Sequence, residues 1–181
     1  GEYQVLLGTQ MVAKGLDFPN VTLVGVISAD TELLFPDFRA GERTFQLLTQ
    51  VAGRAGRKDK LGEVVIQTYS SDHPSLIFAK QHDFLHFYDR EIRDRREAAY
   101  PPYSRMINIL IKGPDQIKVT KTAEFIASQF VHGKYRVLGP VPAQLSKIQG
   151  NYRWQILLMN LKSQDAGGEE MRKAIKKAMA S

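Results

Sequence analysis

Apolar residues in the first hundred positions fall into short runs separated by helical spacing. Three runs, at residues 3–8, 21–28 and 62–70, are rich in Val, Leu and Ile, which is typical of buried parallel strands. Residues 42–57 repeat their apolar positions with helical spacing. This alternation predicts an α/β unit with a parallel sheet and flanking helices. Three strands are few for such a sheet, so we expect the chain to be a piece of a larger protein.

A helix and a rigid tetrapeptide end this first unit. A His-Pro pair interrupts the pattern after the third run, and residues 84–98 then show a helical repeat with charged pairs four residues apart. This favours a connecting helix with a solvated outer face. Its apolar positions are expected to face inward: Phe84, Leu85, Tyr88 and Ile92. The stiff sequence YPPY at residues 100–103 predicts two domains, residues 1–99 and 100–181.

The second unit combines strands and helices in another order. The segments RMINILIKG, YRVLGPVPAQLSKI and YRWQILLMNLK have the alternation of strands. Two amphipathic helices complete the order β-α-β-β-α, which predicts an α+β split sandwich, a fold that normally has one more strand. The first helix is expected to bury Val119, Ala123, Ile126, Ala127 and Phe130. The last is expected to bury Met171, Ala174, Ile175, Ala178 and Met179, with Arg172, Lys173, Lys176 and Lys177 outside.

The distribution of charged residues changes at the same boundary as the predicted secondary structure. The net charge of the 181 residues is +6, with 12 Lys and Arg against 14 Asp and Glu over residues 1–100, and 13 against 5 over residues 101–181. A basic second unit is a candidate for contact with a polyanion, although a solvated basic surface explains charge alone equally well. The chain has no cysteine, which excludes disulfides, a thiolate zinc site and a cysteine nucleophile within these residues. No apolar run is long enough to cross a membrane.

The sequence TQVAGRAGR is the strongest local signal in the chain. Helical spacing would place Gln50, Arg54 and Arg57 in one stripe about 60° wide, opposite the apolar face. Two neighbouring guanidiniums with no acid in the stretch favour a phosphate ligand between them, because guanidinium matches phosphate geometry. Gly53 and Gly56 are costly inside a helix and indicate a helix end or a close backbone approach. A basic helix C-terminus stabilised by the dipole is the alternative.

The sequence GTQMVAKGLDF is a second candidate site. It places Gly8, Thr9 and Gln10 at a predicted strand end, followed by a loop with Lys14, Gly15 and Asp17. Small and hydroxyl residues at a strand end can offer donors to a phosphate. The Asp17 carboxylate could accept hydrogen bonds from a sugar hydroxyl, although taken alone an ordinary turn explains the loop better.

Together the two segments resemble a known class of enzymes. GTQMVAKGLDFPNVTLVGV is similar to motif V of superfamily 2 helicases, and QLLTQVAGRAGR is similar to motif VI. The linking segment ADTELLFPDFRAGERTF resembles one branch, the primosomal replication-restart helicases (the PriA, or primosomal protein N′, family). PPYSRMINILIKG and GNYRWQILLMN in the second unit resemble that family's C-terminal domain, so the resemblance covers nearly the whole chain.

The resemblance implies a fold and an activity. The fold would be the latter part of RecA-like helicase lobe 2, a parallel sheet with flanking helices, followed by the basic α+β C-terminal domain. The activity would be ATP-dependent 3′-to-5′ DNA unwinding at stalled replication forks, leading to primosome assembly and replication restart in the cytoplasm. The implied partners are forked and single-stranded DNA, the acidic tail of single-stranded-DNA-binding protein, and other primosome proteins, with no membrane.

The resemblance also implies roles for particular residues. Arg57 would be the arginine finger at the γ-phosphate, with Arg54 beside it and Gln50 orienting the helix or the nucleotide. Gly15 and Asp17 match the motif that touches the nucleotide sugar. The strand end and loop would lie toward DNA: Gly8, Thr9, Gln10 and Lys14.

In the second unit the DNA-contacting candidates are basic: Lys147, Arg153, Lys173, Lys176 and Lys177. Arg153 and Gln155 share a strand face and are candidates for the partner-tail pocket. Tyr152 and Trp154 lie on the opposite face and could stack on bases, although a core position is the better explanation for Trp154.

Several parts of an ATPase are missing from this sequence. It contains no G-x-x-x-x-G-K-[ST] phosphate loop and no apolar strand ending in Asp-Glu, and the zinc insert of the family requires cysteines. ATP and Mg²⁺ would therefore need the first helicase lobe, and we expect this chain alone not to hydrolyse ATP. Two alternatives stay open: another superfamily 2 DNA translocase or, in isolation, a non-enzymatic DNA-binding module.

Overall fold

A computed structural model of the chain describes residues 3–9, 21–53, 55, 62–130 and 135–180. The chain divides into two compact units, Gly1–Ile92 and Arg93–Ser181. Each unit has its own buried apolar cluster. The boundary predicted after residue 99 stays a prediction, because the division into compact units falls earlier, within a helix.

The first unit contains a parallel pair of strands, β1 (Leu23–Val26) and β2 (Glu63–Ile66). Val24 lies opposite Val64, and Val26 lies opposite Ile66, so the predicted parallel pairing is confirmed. Side chains alternate between half-buried and exposed along both strands. The prediction of buried strands is therefore not met among the described residues, where apolar packing reaches the face that carries Val26 and Ile66 and leaves Leu23 and Val65 exposed.

Helices supply the remaining regular structure of the first unit. They are α1 (Asp30–Leu33), α2 (Ala40–Ala52), α3 (Pro74–Lys80) and α4 (Phe84–Glu97), and α4 continues past the division into the second unit. The first three pack their buried residues together with α4: Leu33, Phe45, Leu48, Leu76, Ala79 and Phe87. Helix α3 was not predicted, although Pro74 at its first position is a helix-start signal.

The rotation of α4 about its axis differs from the prediction. Phe87 is buried, with 5% of its surface exposed, whereas Phe84 is 59% exposed and Leu85 and Tyr88 are also exposed. The Phe87 ring stacks on that of Phe45, with ring centres 4.1 Å apart. This aromatic contact orients α4 so that the face with Phe87 packs in the core, instead of the predicted face with Phe84, Leu85 and Tyr88.

The first predicted strand is absent from the described structure. Tyr3 to Thr9 form no regular secondary structure, and Tyr3, Val5 and Leu7 are largely exposed. A strand needs a hydrogen-bonded neighbour. Among the described residues the sheet of this unit contains β1 and β2, which pair with each other.

The second unit is a three-stranded antiparallel sheet with two helices, in the predicted order β-α-β-β-α. Its elements are β3 (Ser104–Gly113), α5 (Gln116–Ser128), β4 (Arg136–Ile148), β5 (Asn151–Leu161) and α6 (Glu169–Ala180). The strand order is β3-β5-β4, so β5 is central. The split α+β sandwich predicted from the alternation is confirmed.

Both helices of this unit pack on the same face of the sheet. Ile156 and Leu158 of β5 contact a cluster that includes Ala127 of α5 and Met171 and Ala178 of α6. The other face, with Arg153, Gln155 and Leu157, carries neither α5 nor α6. The prediction that Met179 faces inward is wrong, because it lies about 100° around the helix from Ala178 and is exposed.

Side-chain carboxylates cap both helices of the second unit. Asp115 accepts hydrogen bonds from the backbone N–H groups of Ile117 and Lys118 at 2.9 and 3.1 Å. Asp165 accepts from those of Glu169 and Met171, both at 3.0 Å. Burial of Asp165 opposes its ionisation, but these backbone donors outweigh burial and lower its pKa.

Candidate nucleotide and nucleic-acid interface

Helix α2 positions the sequence that resembles motif VI. It buries Phe45, Leu48 and Val51 and ends at Ala52, where the Gly53 N–H donates to the Thr49 carbonyl oxygen at 3.2 Å. The prediction of a helix continuing to residue 57 is therefore wrong: α2 ends at Ala52, and Gly53 is its C-cap, with a right-handed backbone at φ −68°. Of the two explanations for the glycines, a helix end is the one observed at Gly53.

The predicted arginines follow directly on this helix end. Gln50 lies half-buried in the last turn of α2. Arg54 and Arg57 lie outside the described residues, so the stripe that they were expected to share with Gln50 stays a prediction. A stripe on one helix face no longer follows from helical spacing, because α2 ends at Ala52.

The sequence that resembles motif V is only partly described. Gly8 and Thr9 are exposed and lie in no helix or strand. The other four predicted residues of this site lie outside the described residues: Gln10, Lys14, Gly15 and Asp17.

A buried carboxylate joins the carboxyl ends of β1 and β2. Asp30 accepts hydrogen bonds from the Thr68 hydroxyl at 3.0 Å and from the Tyr69 backbone N–H at 3.1 Å. The backbone continues this link, because the Ala29 N–H donates to the Gln67 carbonyl oxygen at 3.1 Å. Sequence reasoning missed Asp30, although a lone acid just after an apolar strand was a possible signal. With two donors in place, Asp30 acts as a structural link.

An ion-pair cluster fixes the segment that leads into α2. The Arg39 guanidinium donates to both carboxylate oxygens of Asp37, from Nε at 3.1 Å and from Nη2 at 2.9 Å. Arg43 Nη2 donates to the same carboxylate at 3.0 Å. These hydrogen bonds, Arg39 first, hold the pKa of Asp37 below its usual value. The helix that carries Gln50 is thus tied down before its first turn, a feature that the sequence did not predict.

A cavity of about 450 Å³ lies beside the carboxyl end of β2. Its lining includes His73, Phe78 and Arg90. His73 caps α3, since its Nδ1 accepts a hydrogen bond from the Ser75 N–H at 3.2 Å. Burial, reinforced by the positive charge of Arg90, lowers the pKa of His73, which favours the neutral ring that accepts this bond.

The basic candidates of the second unit lie in three separate places. Lys173, Lys176 and Lys177 are on the exposed side of α6, as predicted. Arg153 and Gln155 share the sheet face opposite α5 and α6, as their spacing predicts, and the Arg153 Nη1 donates to the Leu145 carbonyl oxygen at 3.3 Å. They therefore do not form one continuous patch with the lysines of α6.

Lys147 lies near the turn between β4 and β5, on the other face of the sheet. Its Nζ is 4.5 Å from the ring centre of Tyr152 and donates to the Tyr152 hydroxyl at 3.3 Å. Trp154 follows on that same face, half-buried, opposite Ile111 and Pro142 on the neighbouring strands. Trp154 is not among the residues packed in the core cluster, so both the core and the base-stacking interpretations of it stay predictions.

Neither a metal-binding cluster nor a membrane-spanning helix occurs within the described ranges. These residues bring together no group of three His, Cys, Asp or Glu side chains that could hold a metal ion. None of the helices described is both long and apolar enough to span a bilayer.

Comparison with known proteins gives consistent matches along the chain. Residues 1–59 match the model of the helicase conserved C-terminal domain, and residues 96–181 match that of the primosomal protein N C-terminal domain. The chain is 49% identical to the replication restart protein PriA of Bacillus subtilis (strain 168) over 162 residues, which cover 87% of the chain and 20% of that relative.

Other relatives carry the same name. Identity to the PriA protein of Synechocystis sp. is 44%, covering 87% of this chain and 19% of the relative. Identity to that of Haemophilus influenzae is 43%, covering 88% and 22%. The chain thus spans about a fifth of the length of these relatives. The match to the helicase conserved C-terminal domain covers motifs V and VI, and the match to the primosomal protein N C-terminal domain covers the α+β unit. The chain therefore belongs to the PriA family of replication restart helicases.

Proposed function

We propose that this chain forms the nucleotide-responsive and DNA-contacting part of an ATP-dependent 3′-to-5′ helicase. The helicase would act in the cytoplasm on stalled replication forks and begin primosome assembly there. One observation carries the proposal: a buried, doubly anchored helix, α2, ends immediately before the arginines of motif VI. The family membership of the chain supports the same function.

The anchoring of α2 matters because phosphoryl transfer depends on positioning. An arginine finger acts only if its guanidinium meets the charge that develops on the transferred phosphoryl group. The core contacts of Phe45 and Leu48 fix the axis of α2, and the pair of Asp37 and Arg39 fixes its entry. We infer that Arg57 supplies the finger, with Arg54 beside it and Gln50 orienting the helix end.

The nucleotide needs groups that this sequence does not contain. Gly15 and Asp17 are proposed to contact its sugar, but a phosphate loop is absent from the sequence. Mg²⁺ fits the described residues poorly, since they gather no acidic cluster. Zinc fits the described residues poorly too, since they bring together no three His, Asp or Glu side chains and the chain has no cysteine. We therefore assign ATP and Mg²⁺ binding to a first helicase lobe that acts together with this chain.

DNA would be bound by a strand end and loop of the first unit and by basic residues of the second. In the first unit these contacts are assigned to Gly8, Thr9, Gln10 and Lys14. In the second they are assigned to Lys147, Arg153, Lys173, Lys176 and Lys177. Removing one phosphate contact should reduce the steepness of log K against log salt by about 0.7 for single strands and about 0.9 for duplex.

A protein partner is proposed for the open sheet face. Arg153 and Gln155 lie there within one strand, where a cation and an amide could bind the carboxylates of an acidic tail. The tail of single-stranded-DNA-binding protein has this chemistry, and other primosome proteins are further proposed partners.

Measurements of ATP hydrolysis can test the proposal that ATP binds to the first helicase lobe while this chain supplies the arginine finger. The 181-residue chain alone should release no phosphate above background, with or without DNA. A protein that joins it to the first lobe should hydrolyse ATP and respond more strongly to forked DNA than to single strands. Hydrolysis by the pure chain that disappears in Arg57→Ala would refute the proposal, and equal stimulation by both DNAs would favour another superfamily 2 translocase.

A further inference from the structure

The sheet of the second unit is free of acidic residues. None of its three strands contains Asp or Glu, whereas the helices contain Glu124, Glu169 and Glu170. The strands carry five basic residues: Arg105, Lys112, Arg136, Lys147 and Arg153. Of these, Lys112, Lys147 and Arg153 lie on the last rungs of the sheet, near the turn between β4 and β5. Asp115, the acid that follows β3 at this end, caps α5, and the three cations outnumber it, so this end of the sheet has a net positive charge that can attract a polyanion.

Two of these cations share the sheet face opposite α5 and α6. Lys112 of β3 lies directly opposite Arg153 of β5. Like charges at directly opposite positions destabilise a sheet, so this pair indicates an anionic ligand that bridges them. Arg153 uses Nη1 to bind the Leu145 carbonyl oxygen, which orients the guanidinium while most of its five donors remain for a phosphate.

The third cation lies on the opposite face. Lys147 pairs with Tyr152 across the hairpin, and its ammonium both stacks on the ring and donates to the hydroxyl. These two contacts hold the ammonium in place, and an ammonium has three donors in all. The hairpin thus holds cationic side chains in fixed positions on both of its faces. A surface that binds a single DNA strand would need cations on one face only.

The end of the hairpin is narrow and partly apolar. Gln149 and Gly150 form a tight turn, with φ of 48° and 80°. Leu145, in the irregular part of β4, is 63% exposed, and Ile148 beside the turn is also exposed. Apolar side chains at such a tip can contact unstacked bases.

We propose that the β4–β5 hairpin tip, residues 145–153, inserts between the two strands of a branched DNA at the point where they separate. Lys112 and Arg153 bind the phosphates of one strand, and Lys147, held by Tyr152, binds those of the other. Leu145 and Ile148 contact the first unpaired bases. This inference rests on the proposed function, since it names the DNA structure that the second unit recognises.

The test uses the 181-residue chain and three fluorescent DNAs of matched sequence: a Y-shaped junction, a duplex and a single strand. The junction should bind most tightly, and 2-aminopurine at its branch should brighten as the base unstacks. Lys112→Gln and Lys147→Gln should each weaken junction binding about tenfold. The control Lys121→Gln changes an exposed lysine of α5 and should bind as the unmodified chain does.

A second variant separates insertion from simple attraction. Leu145→Ser with Ile148→Ser should abolish the preference for the junction and the 2-aminopurine signal, while affinity for the single strand stays the same. Far-UV circular dichroism and a melting curve would show that each variant folds.

The outcomes distinguish this inference from the proposed function. Equal affinity for duplex and junction, the behaviour of a β-ribbon in the major groove, would overturn the inference and leave the DNA-binding role intact. Variants that weaken all three DNAs equally would overturn it in the same way. Failure of the chain to bind any of the three DNAs would overturn both the insertion of the hairpin tip and the proposed DNA-binding function of the second unit.

Discussion

Truncation of Leu48 should destabilise the first unit without destabilising the second. Leu48 is 2% exposed in the cluster that fixes α2. Leu48→Ala removes three carbon atoms, which corresponds to about 2.4 kcal/mol of lost transfer free energy at about 0.8 kcal/mol per carbon. The cavity left behind raises the loss in free energy of unfolding to about 3–4 kcal/mol.

The single tryptophan makes this loss measurable unit by unit. Trp154 lies in the second unit, so its fluorescence reports the unfolding of that unit, while far-UV circular dichroism reports both. The first unit unfolds in the part of the dichroism transition that the tryptophan does not report. In urea, Leu48→Ala should lower the midpoint of that part by about 1.5–4 M, at about 1–2 kcal/mol per M for a unit of this size. The Trp154 transition should not move.

Matched variants check the reasoning on Leu48. Leu85→Ala removes the same atoms from a side chain that is 71% exposed and should cost less than about 1 kcal/mol. Phe130→Ala, in the core of the second unit, should move the Trp154 transition instead. If Leu48→Ala moved the Trp154 transition as far as the dichroism transition, the two cores would unfold together and the reasoning would be refuted.

Three further predictions concern pH, backbone geometry and salt. The folded state lowers the pKa of Asp37 from 3.8, so the ionised Asp37 stabilises the fold fully above pH 3.8, and this stabilisation is lost as the pH falls through the lowered pKa. In Asp37→Asn, the acid denaturation curve should therefore lack the loss of stability that comes from protonating Asp37. Gly139→Ala should destabilise the second unit more than Gly150→Ala, because both have positive φ but only Gly139 would place a Cβ 2.8 Å from the Gln155 carbonyl oxygen; equal Trp154 transitions would contradict this. Lys173→Gln should reduce the steepness of the salt dependence of single-strand binding by about 0.7, and an unchanged salt dependence would remove this residue from the interface.

The sequence predicted the elements of the second unit well for a physical reason. In β3, Ile107, Ile109 and Ile111 recur at every second position, and this period of two places them on one face of the strand, which packs against the core. Family motifs predicted the order of the two units, and the comparisons confirmed the family.

The missed features depend on contacts between distant residues. The stacking of Phe87 on Phe45 rotates α4, and no periodicity within α4 reveals this partner. The bond from Thr68 to Asp30 joins residues at the ends of two strands. The end of α2 at Ala52 was not predicted, because a glycine in the sequence is compatible with either a helix end or a close backbone approach, and Gly53 keeps a right-handed backbone that any residue can adopt.

The most direct test of the proposed motor is the steady-state ATPase of Arg57→Ala in a protein that joins this chain to the first helicase lobe, with forked DNA present. The turnover number should fall by about 10³ or more while ATP binding is retained, because the finger acts on the transition state. Lys80→Ala, an exposed change at the end of α3, should hydrolyse ATP normally. A turnover number of Arg57→Ala within a few-fold of the unmodified protein would contradict the role of this segment in ATP hydrolysis.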